Sequence, residues 1–473
     1  MSKIFSIFLP KDKQLFKKIF SLATPVIISN LSRVLMGIID MAMVGHLGAT
    51  ALAAVGMAGM VTWTAMSPGI ALRTGTQTIV SRRLGEKKYD QCGIALRNLQ
   101  VFALFVGIPL ALLCYYFTTP IISFFIKDPD TLWQCIDYAE FNFLGVYFIY
   151  GAFVFQGFYT GIEKTKLHMK VVLFSNILNV YLNVGLIFGT EKIIETLHGT
   201  PFSMFTYLWS FYDFPALGVK GAAIGTFVAS GWLFFHYFLY LFKSDIITKY
   251  KVFRMSLNKL MLKRQLIIAY PVALQEMFVM FSFTIFYKIL GIIGILELAA
   301  TQIIFRIMHA SFMPALGVGQ ACATLVGKYL GEKKPDKAEQ SIYESLRGSF
   351  YIMGTVGIFF MIFAHYIIPP FTNDPNVVKF AIPGLRFVGL LQFVDAICFT
   401  LWFALTGAGD TKVPALVDVL THWVLFIPAC YILGITLEFG FWGPWIAFGL
   451  HLTFFAGFIF WRFRKGYWKE IKV

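Results

Sequence analysis

Apolar stretches of roughly 20 to 30 residues recur along the whole chain, and each, wound as an α-helix, is long enough to cross a hydrocarbon core of about 30 Å. Twelve are predicted, near 19–45, 50–80, 93–117, 133–160, 167–189, 217–242, 266–291, 296–327, 349–370, 381–405, 413–435 and 441–462. The composition agrees, with 58% of the 473 residues hydrophobic and 14% charged, well below the charged share of a soluble domain, about 25%. The fold class expected is an all-α integral membrane protein.

The formal charge of +15 would suit nucleic acid, but its placement argues against that partner and for a lipid bilayer. Lys and Arg crowd the amino-terminal segment and the loops after the second, fourth, sixth, eighth and twelfth spans, with one more, Lys412, after the tenth. The opposite loops hold only Lys127, Lys192, Lys220 and Lys379, and Arg33, Arg73, Lys288, Arg306 and Arg386 fall within spans. This is the positive-inside pattern. It predicts a multi-pass protein of the cell's inner (plasma) membrane with both termini cytoplasmic. Met1 to Phe20 is basic without a small-residue cleavage site and reads as an interfacial start to the first span, not a removable signal. The six cysteines form no CxxC, and four lie in apolar spans, where packing is their expected role.

The chain repeats itself at a shift of 246 residues without a gap from the first span to the loop after the fourth. Pro25 matches Pro271, Gly45 and Gly48 match Gly291 and Gly294, and Pro68 matches Pro314. Leu84-Gly-Glu-Lys-Lys88 recurs as Leu330-Gly-Glu-Lys-Lys334, and Asp128-Pro129 as Asp374-Pro375. The register then moves to 222, so the first half carries about 24 extra residues near 190–213, on the outer side. Six spans per repeat is an even number, so both copies run in the same sense, related by an axis along the membrane normal. The expected domains are an amino-terminal six-helix lobe (1–242), a cytoplasmic linker (243–264) and a carboxy-terminal six-helix lobe (265–473). Transporters of this plan hold substrate between the lobes and expose it to each side by rocking.

With these residues in place, the chain resembles the multidrug and toxic compound extrusion (MATE) transporters of the wider MOP flippase superfamily. The likeness rests on Thr24-Pro25, on Ile39-Asp40-Met-Ala-Met-Val-Gly45-His-Leu-Gly48, on the two Leu-Gly-Glu-Lys-Lys turns, and on Thr406-Gly-Ala-Gly-Asp-Thr-Lys412. The resemblance implies a secondary antiporter, not an enzyme, that needs no cofactor beyond a coupling ion. Its expected work is export of amphipathic, cationic drugs or toxic metabolites in exchange for Na+ or H+, acting as a monomer. The NorM-like branch carries acids in the first, seventh and tenth helices, which fall here on Asp40, Glu276 and Asp395. It also carries two amides in the fifth, Asn179 and Asn183.

The residues point the same way on physical grounds. An ionisable group near the bilayer centre costs about 2.5 to 3.5 kcal/mol on insertion scales and persists mainly where it functions. Glu276 lies 12 residues beyond Arg264 and Asp395 lies 11 before Thr406, so at about 1.5 Å per residue they share one depth. Two carboxylates in one dry pocket suit proton exchange or the caging of Na+. Asp40, Asn179 and Asn183 sit in the outer half and offer a second set of hard oxygen ligands. The shift pairs Asp40 with Phe286, Glu276 with Asn30 and Asp395 with Ile149, so the scaffold repeats and the acids do not. An ion pair with Arg33, seven residues from Asp40, is the structural alternative. Asp418 is expected to be structural, and among the intramembrane cations only Arg306 lies deep enough to belong to a site. Tyr150, Phe153, Phe278, Phe281 and Trp402 are candidate stacking surfaces for flat organic cations.

Two other readings are distinguishable. A lipid-linked saccharide flippase shares the lobed plan, but such proteins often have more helices or a strongly cationic cavity. Gly407-Ala-Gly-Asp410 fits the GxGD letters of intramembrane aspartyl proteases, with Tyr89-Asp90 as partner. Both segments, however, fall in lysine-flanked turns. With no P-loop in the chain, any pumping is driven by an ion gradient.

Overall fold

The computed structural model describes residues 10–473 except Phe202 and Met255, and its helices make twelve spans. They are α1 (Lys13–Gly45), α2 (Ala49–Gly85), α3 (Tyr89–Tyr116), α4 (Pro129–Leu144 with Val146–Gly161), α5 (Thr165–Phe188), α6 (Gly218–Phe242), α7 (Lys259–Ile293), α8 (Ile295–Gly331), α9 (Pro335–Ile367), α10 (Pro375–Ala408), α11 (Lys412–Thr436) and α12 (Trp442–Lys465). Eleven are single spans and α4 is a pair bent by 44°. Bulky apolar side chains such as Phe105, Phe124, Tyr116, Ile295 and Val424 are exposed, as expected where the solvent is lipid.

The repeat is visible helix by helix, and its departures have local causes. Gly145 breaks α4, whereas the residue 246 further on is Leu391 and α10 runs through unbroken. Proline lacks the amide proton that a helix interior needs. At Ser67-Pro68 the ladder of α2 is interrupted, yet α8 continues through the matching Pro314. α11 contains two wide π-helical stretches, Thr421–Phe426 and Ile432–Thr436. The extra residues near 190–213 form a short helix, Thr190–Leu197, and a loop held on α5 by Trp209 Nε1 donating to Tyr181 O (3.0 Å) and Tyr181 Oη donating to Leu208 O (2.9 Å).

α7 begins at Lys259, so its first turns take up part of the expected linker. Asn258 caps that start by accepting from the Met261 amide at 3.0 Å. The rest of the linker, including the helix Ser244–Tyr250, is fastened to α3, where the Arg97 guanidinium donates to the carbonyls of Lys251 (2.6 Å) and Val252 (2.9 Å).

The lobes meet by exchange of partners: α1 packs on α8, and α2 packs on both α7 and α8. At one end the joint is two-fold. Both Leu-Gly-Glu-Lys-Lys turns place their third residue after leucine, Lys87 and Lys333, in the left-handed region (φ 60° and 59°). A Cβ on Gly85 would lie 2.0 Å from Lys328 O, and one on Gly331 would lie 2.2 Å from Arg82 O. Only glycine allows that approach. Around it, Gln77 Nε2 donates to Gln320 O (2.8 Å), Thr78 Oγ1 to Thr406 O (2.9 Å), and Arg82 to Ile471 O (2.8 Å). Glu163 takes Lys328 (2.8 Å) from the other lobe and Lys18 (3.1 Å) from its own.

Candidate functional site

Above that joint the lobes part to enclose a cavity of about 690 Å³, within the usual size range for a small-molecule site. Its amino-terminal wall is Asn30, Arg33 and Val34 of α1, Trp63, Ile70 and Arg73 of α2, and Phe153 of α4. The carboxy-terminal wall carries Gln275 and Glu276 of α7, Asp395 and Trp402 of α10, Asp418 and His422 of α11, and His451 of α12. Gln320 of α8, bonded across the joint, is part of the lining.

Glu276 and Asp395, expected at one depth, line one cavity. Asp395 is 3% exposed, and its Oδ2 has no hydrogen-bond partner. A buried acceptor left without a donor is costly, so this oxygen is available to a proton or cation. Asp40 lies elsewhere, within the amino-terminal lobe. Its Oδ1 accepts from Asn183 Nδ2 at 2.7 Å, and the amides of Asn183 and Asn179 face each other at 3.4 and 3.5 Å, with Thr226 Oγ1 3.5 Å from Asn179. The cluster fits because α6 has Gly225 against it, where a Cβ would stand 2.0 Å from Asn183 Oδ1. The structure thus brings the sequence-selected acids together as two separate sites.

Several expectations need correcting. Arg33 does not pair with Asp40; it lines the cavity with Arg73, whereas Arg306 is exposed and outside it. Asp418 is a cavity residue, held by Gln275 Nε2 (2.5 Å) and His422 Nδ1 (3.2 Å). Of the five aromatic candidates, Phe153 and Trp402 line the cavity. Tyr150 is buried with its hydroxyl given to Ala65 O (2.8 Å), and Phe278 and Phe281 are turned outward, 41% and 49% exposed. The misplaced candidates share a cause: distance along a helix fixes depth, but a few tens of degrees of rotation decide whether a side chain meets cavity, core or lipid. Asp410 of the protease-like letters is engaged by Arg462 at 2.9 Å.

The MatE family model matches residues 25–184 and again residues 271–432, two copies whose starts are separated by the 246 residues of the internal repeat. The chain belongs to the MATE family of membrane transporters. It is therefore a transporter and not an enzyme. A curated relative from Thermotoga maritima, "Probable multidrug resistance protein NorM", is 26% identical over 99% of this chain and 97% of its own length. "Multidrug resistance protein MdtK" of Yersinia pseudotuberculosis is 24% identical over 92% of each chain. Among solved structures, an outward-facing multidrug resistance MATE transporter of the MOP superfamily superposes with a TM-score of 0.85 at 21% identity, covering 97% of both chains. A MOP superfamily transporter from Pyrococcus furiosus, described by the reverse polarity of its binding pocket, gives 0.84 at 20% identity and 98% of both.

Proposed function

We propose that this transporter exports amphipathic small molecules across the plasma membrane in exchange for Na+ or H+, by alternating exposure of the cavity between its lobes. The observation that carries the reading is Asp395, with its unpartnered oxygen, in the cavity that Glu276 also lines. A cation or proton bound there competes with a cationic drug for the same carboxylates. Asp40 with Asn179 and Asn183 is the second ion site, acting through the packing of α1, α5 and α6. In the positive-inside orientation both termini and the 84–88 and 330–334 turns face the cytoplasm, so the state described is sealed on the cytoplasmic side. Phe153 and Trp402 are the stacking surfaces for the drug.

The decisive experiment is efflux of a fluorescent organic cation from vesicles holding the purified protein, under an imposed Na+ gradient and then a proton gradient. Transport under one and not the other identifies the ion; transport under neither overturns the reading. Cysteines replacing Lys87 or Lys333 should be labelled only from the cytoplasmic side. Arg33 and Arg73 on the wall opposite Glu276 favour a second reading, in which the substrate also carries an anionic group. A zwitterionic probe that competes better than its cationic ester identifies that case.

A further inference from the structure

Three titratable side chains of the carboxy-terminal lobe form a cluster that the proposed drug and ion sites do not use. Asp418 and His422 stand four residues apart on one face of α11, and His451 comes from α12; one donor atom from each lies within 4.8 Å of the others. All three are buried and line the cavity. We propose that Asp418, His422 and His451 bind a borderline divalent transition-metal ion of the Zn2+, Co2+ or Ni2+ class.

The donor set selects that class. Two imidazoles and one carboxylate suit zinc and its neighbours, whereas Na+, Mg2+ and Ca2+ prefer oxygen ligands throughout. The spacing is close to what such an ion needs: ligands about 2.0 Å from a tetrahedral zinc stand about 3.3 Å apart. Asp418 Oδ1 already lies 3.2 Å from His422 Nδ1 and 3.8 Å from His451 Nε2, and a small side-chain rotation closes the remainder.

The Asp418 carboxylate is oriented by a neighbouring donor, as metal-ligating carboxylates commonly are. Gln275 Nε2 donates to Asp418 Oδ2 at 2.5 Å, leaving Oδ1 turned to the histidines. His422 Nδ1 also lies 2.9 Å from the Asp418 carbonyl, a hydrogen bond that a metal held on Nδ1 displaces. The His451 ring is 2% exposed, and Gln275 Oε1 has no hydrogen-bond partner. The two imidazole rings lie 3.9 Å apart. His422 falls in the π-helical stretch Thr421–Phe426, a local widening that recurs at functional sites.

The test is equilibrium metal binding by the purified protein, freed of any affinity tag, and it needs no transport. Zn2+ is titrated in competition with a chromophoric chelator, and Co2+ is added separately to read ligand-field absorption. One Zn2+ per chain is expected, undisturbed by a large excess of Na+ or Mg2+. His422→Gln and His451→Gln should each weaken it at least tenfold, while His309→Gln, which lines the same cavity outside the cluster, and Asp40→Asn in the other lobe leave it unchanged. Variants are accepted as folded only where they elute as the parent does. No Zn2+ binding by the parent, or binding unchanged in the two histidine variants, overturns the proposal. So does a Co2+ spectrum without tetrahedral bands, a readout that holds even if a variant fails to fold. Failure of drug efflux would leave these outcomes untouched.

Discussion

The two lobes share a backbone plan and differ in what they bury. The amino-terminal lobe closes around one carboxylate, Asp40, satisfied by Asn183 inside a packed cluster. The carboxy-terminal lobe turns Glu276, Asp395, Asp418, His422 and His451 toward the cavity. Arg33 and Arg73 supply opposite charge from the amino-terminal wall. Duplication therefore provided the symmetry of the joint between the halves, while the buried acids and histidines fall on one cavity wall and in one remote pocket. The lesson is that symmetry belongs to the joint, whereas function depends on the residues that break it.

The strongest way to break this comparison is to remove charge from the cavity wall. Glu276→Gln and Asp395→Asn should each abolish gradient-driven efflux while the protein still inserts and elutes as the parent does, because shape is kept and only the titrating charge is lost. Normal transport by both would reassign the pair to structure. Asp40→Asn should act differently: drug still binds, but added Na+ or acid no longer releases it, read by equilibrium binding at several ion concentrations. Unchanged ion-driven release would place all coupling in the carboxy-terminal lobe.

Gly225→Ala sharpens the contrast further, since the new Cβ meets Asn183 Oδ1 and must push the amide from Asp40. It should cost about 1 to 3 kcal/mol of stability in a melting experiment and partly reproduce the Asp40→Asn defect, without touching the cavity wall. A variant with parental ion-driven release would show that the amide's position is immaterial.

The smallest effect is expected at Glu163. Burial raises its carboxyl, but the ammonium groups of Lys328 and Lys18 outweigh that, and it titrates below the ordinary range. The ion pairs are therefore intact at neutral pH and above, and are lost as pH falls through the depressed value. Glu163→Gln should weaken the joint by about 1 kcal/mol or less at pH 7, and the difference from the parent should vanish in acid. Thermal stability measured across pH in detergent checks both statements; a difference that grows in acid would contradict the sign.

The twelve spans and the duplicated plan were legible because lipid imposes length and apolarity on every crossing segment, and because Gly85, Gly331 and their neighbours persist in both copies. The depth of Glu276 and Asp395 was also legible, since rise per residue is fixed. Rotation was not: Phe278 and Phe281 read as cleft residues only until their helix face was known, and Asp418, near the start of its helix, read as structural. The signal existed in part, as Asp418 and His422 are spaced to share a helix face within an apolar span. His451, the third member, comes from the next helix, and only packing brings it within reach.

The paired contacts at Gly85 and Gly331 set a kinematic limit on the whole molecule. Two points of contact define a line, and of all rigid-body motions only turning about that line would keep both. Sliding of one lobe past the other, or twisting about the membrane normal, would break at least one contact first. A rocking that opened the cavity through this end would have to give up both glycine contacts together. The two halves of that step are equivalent by symmetry, so a bulky residue at either glycine should act on the same transition.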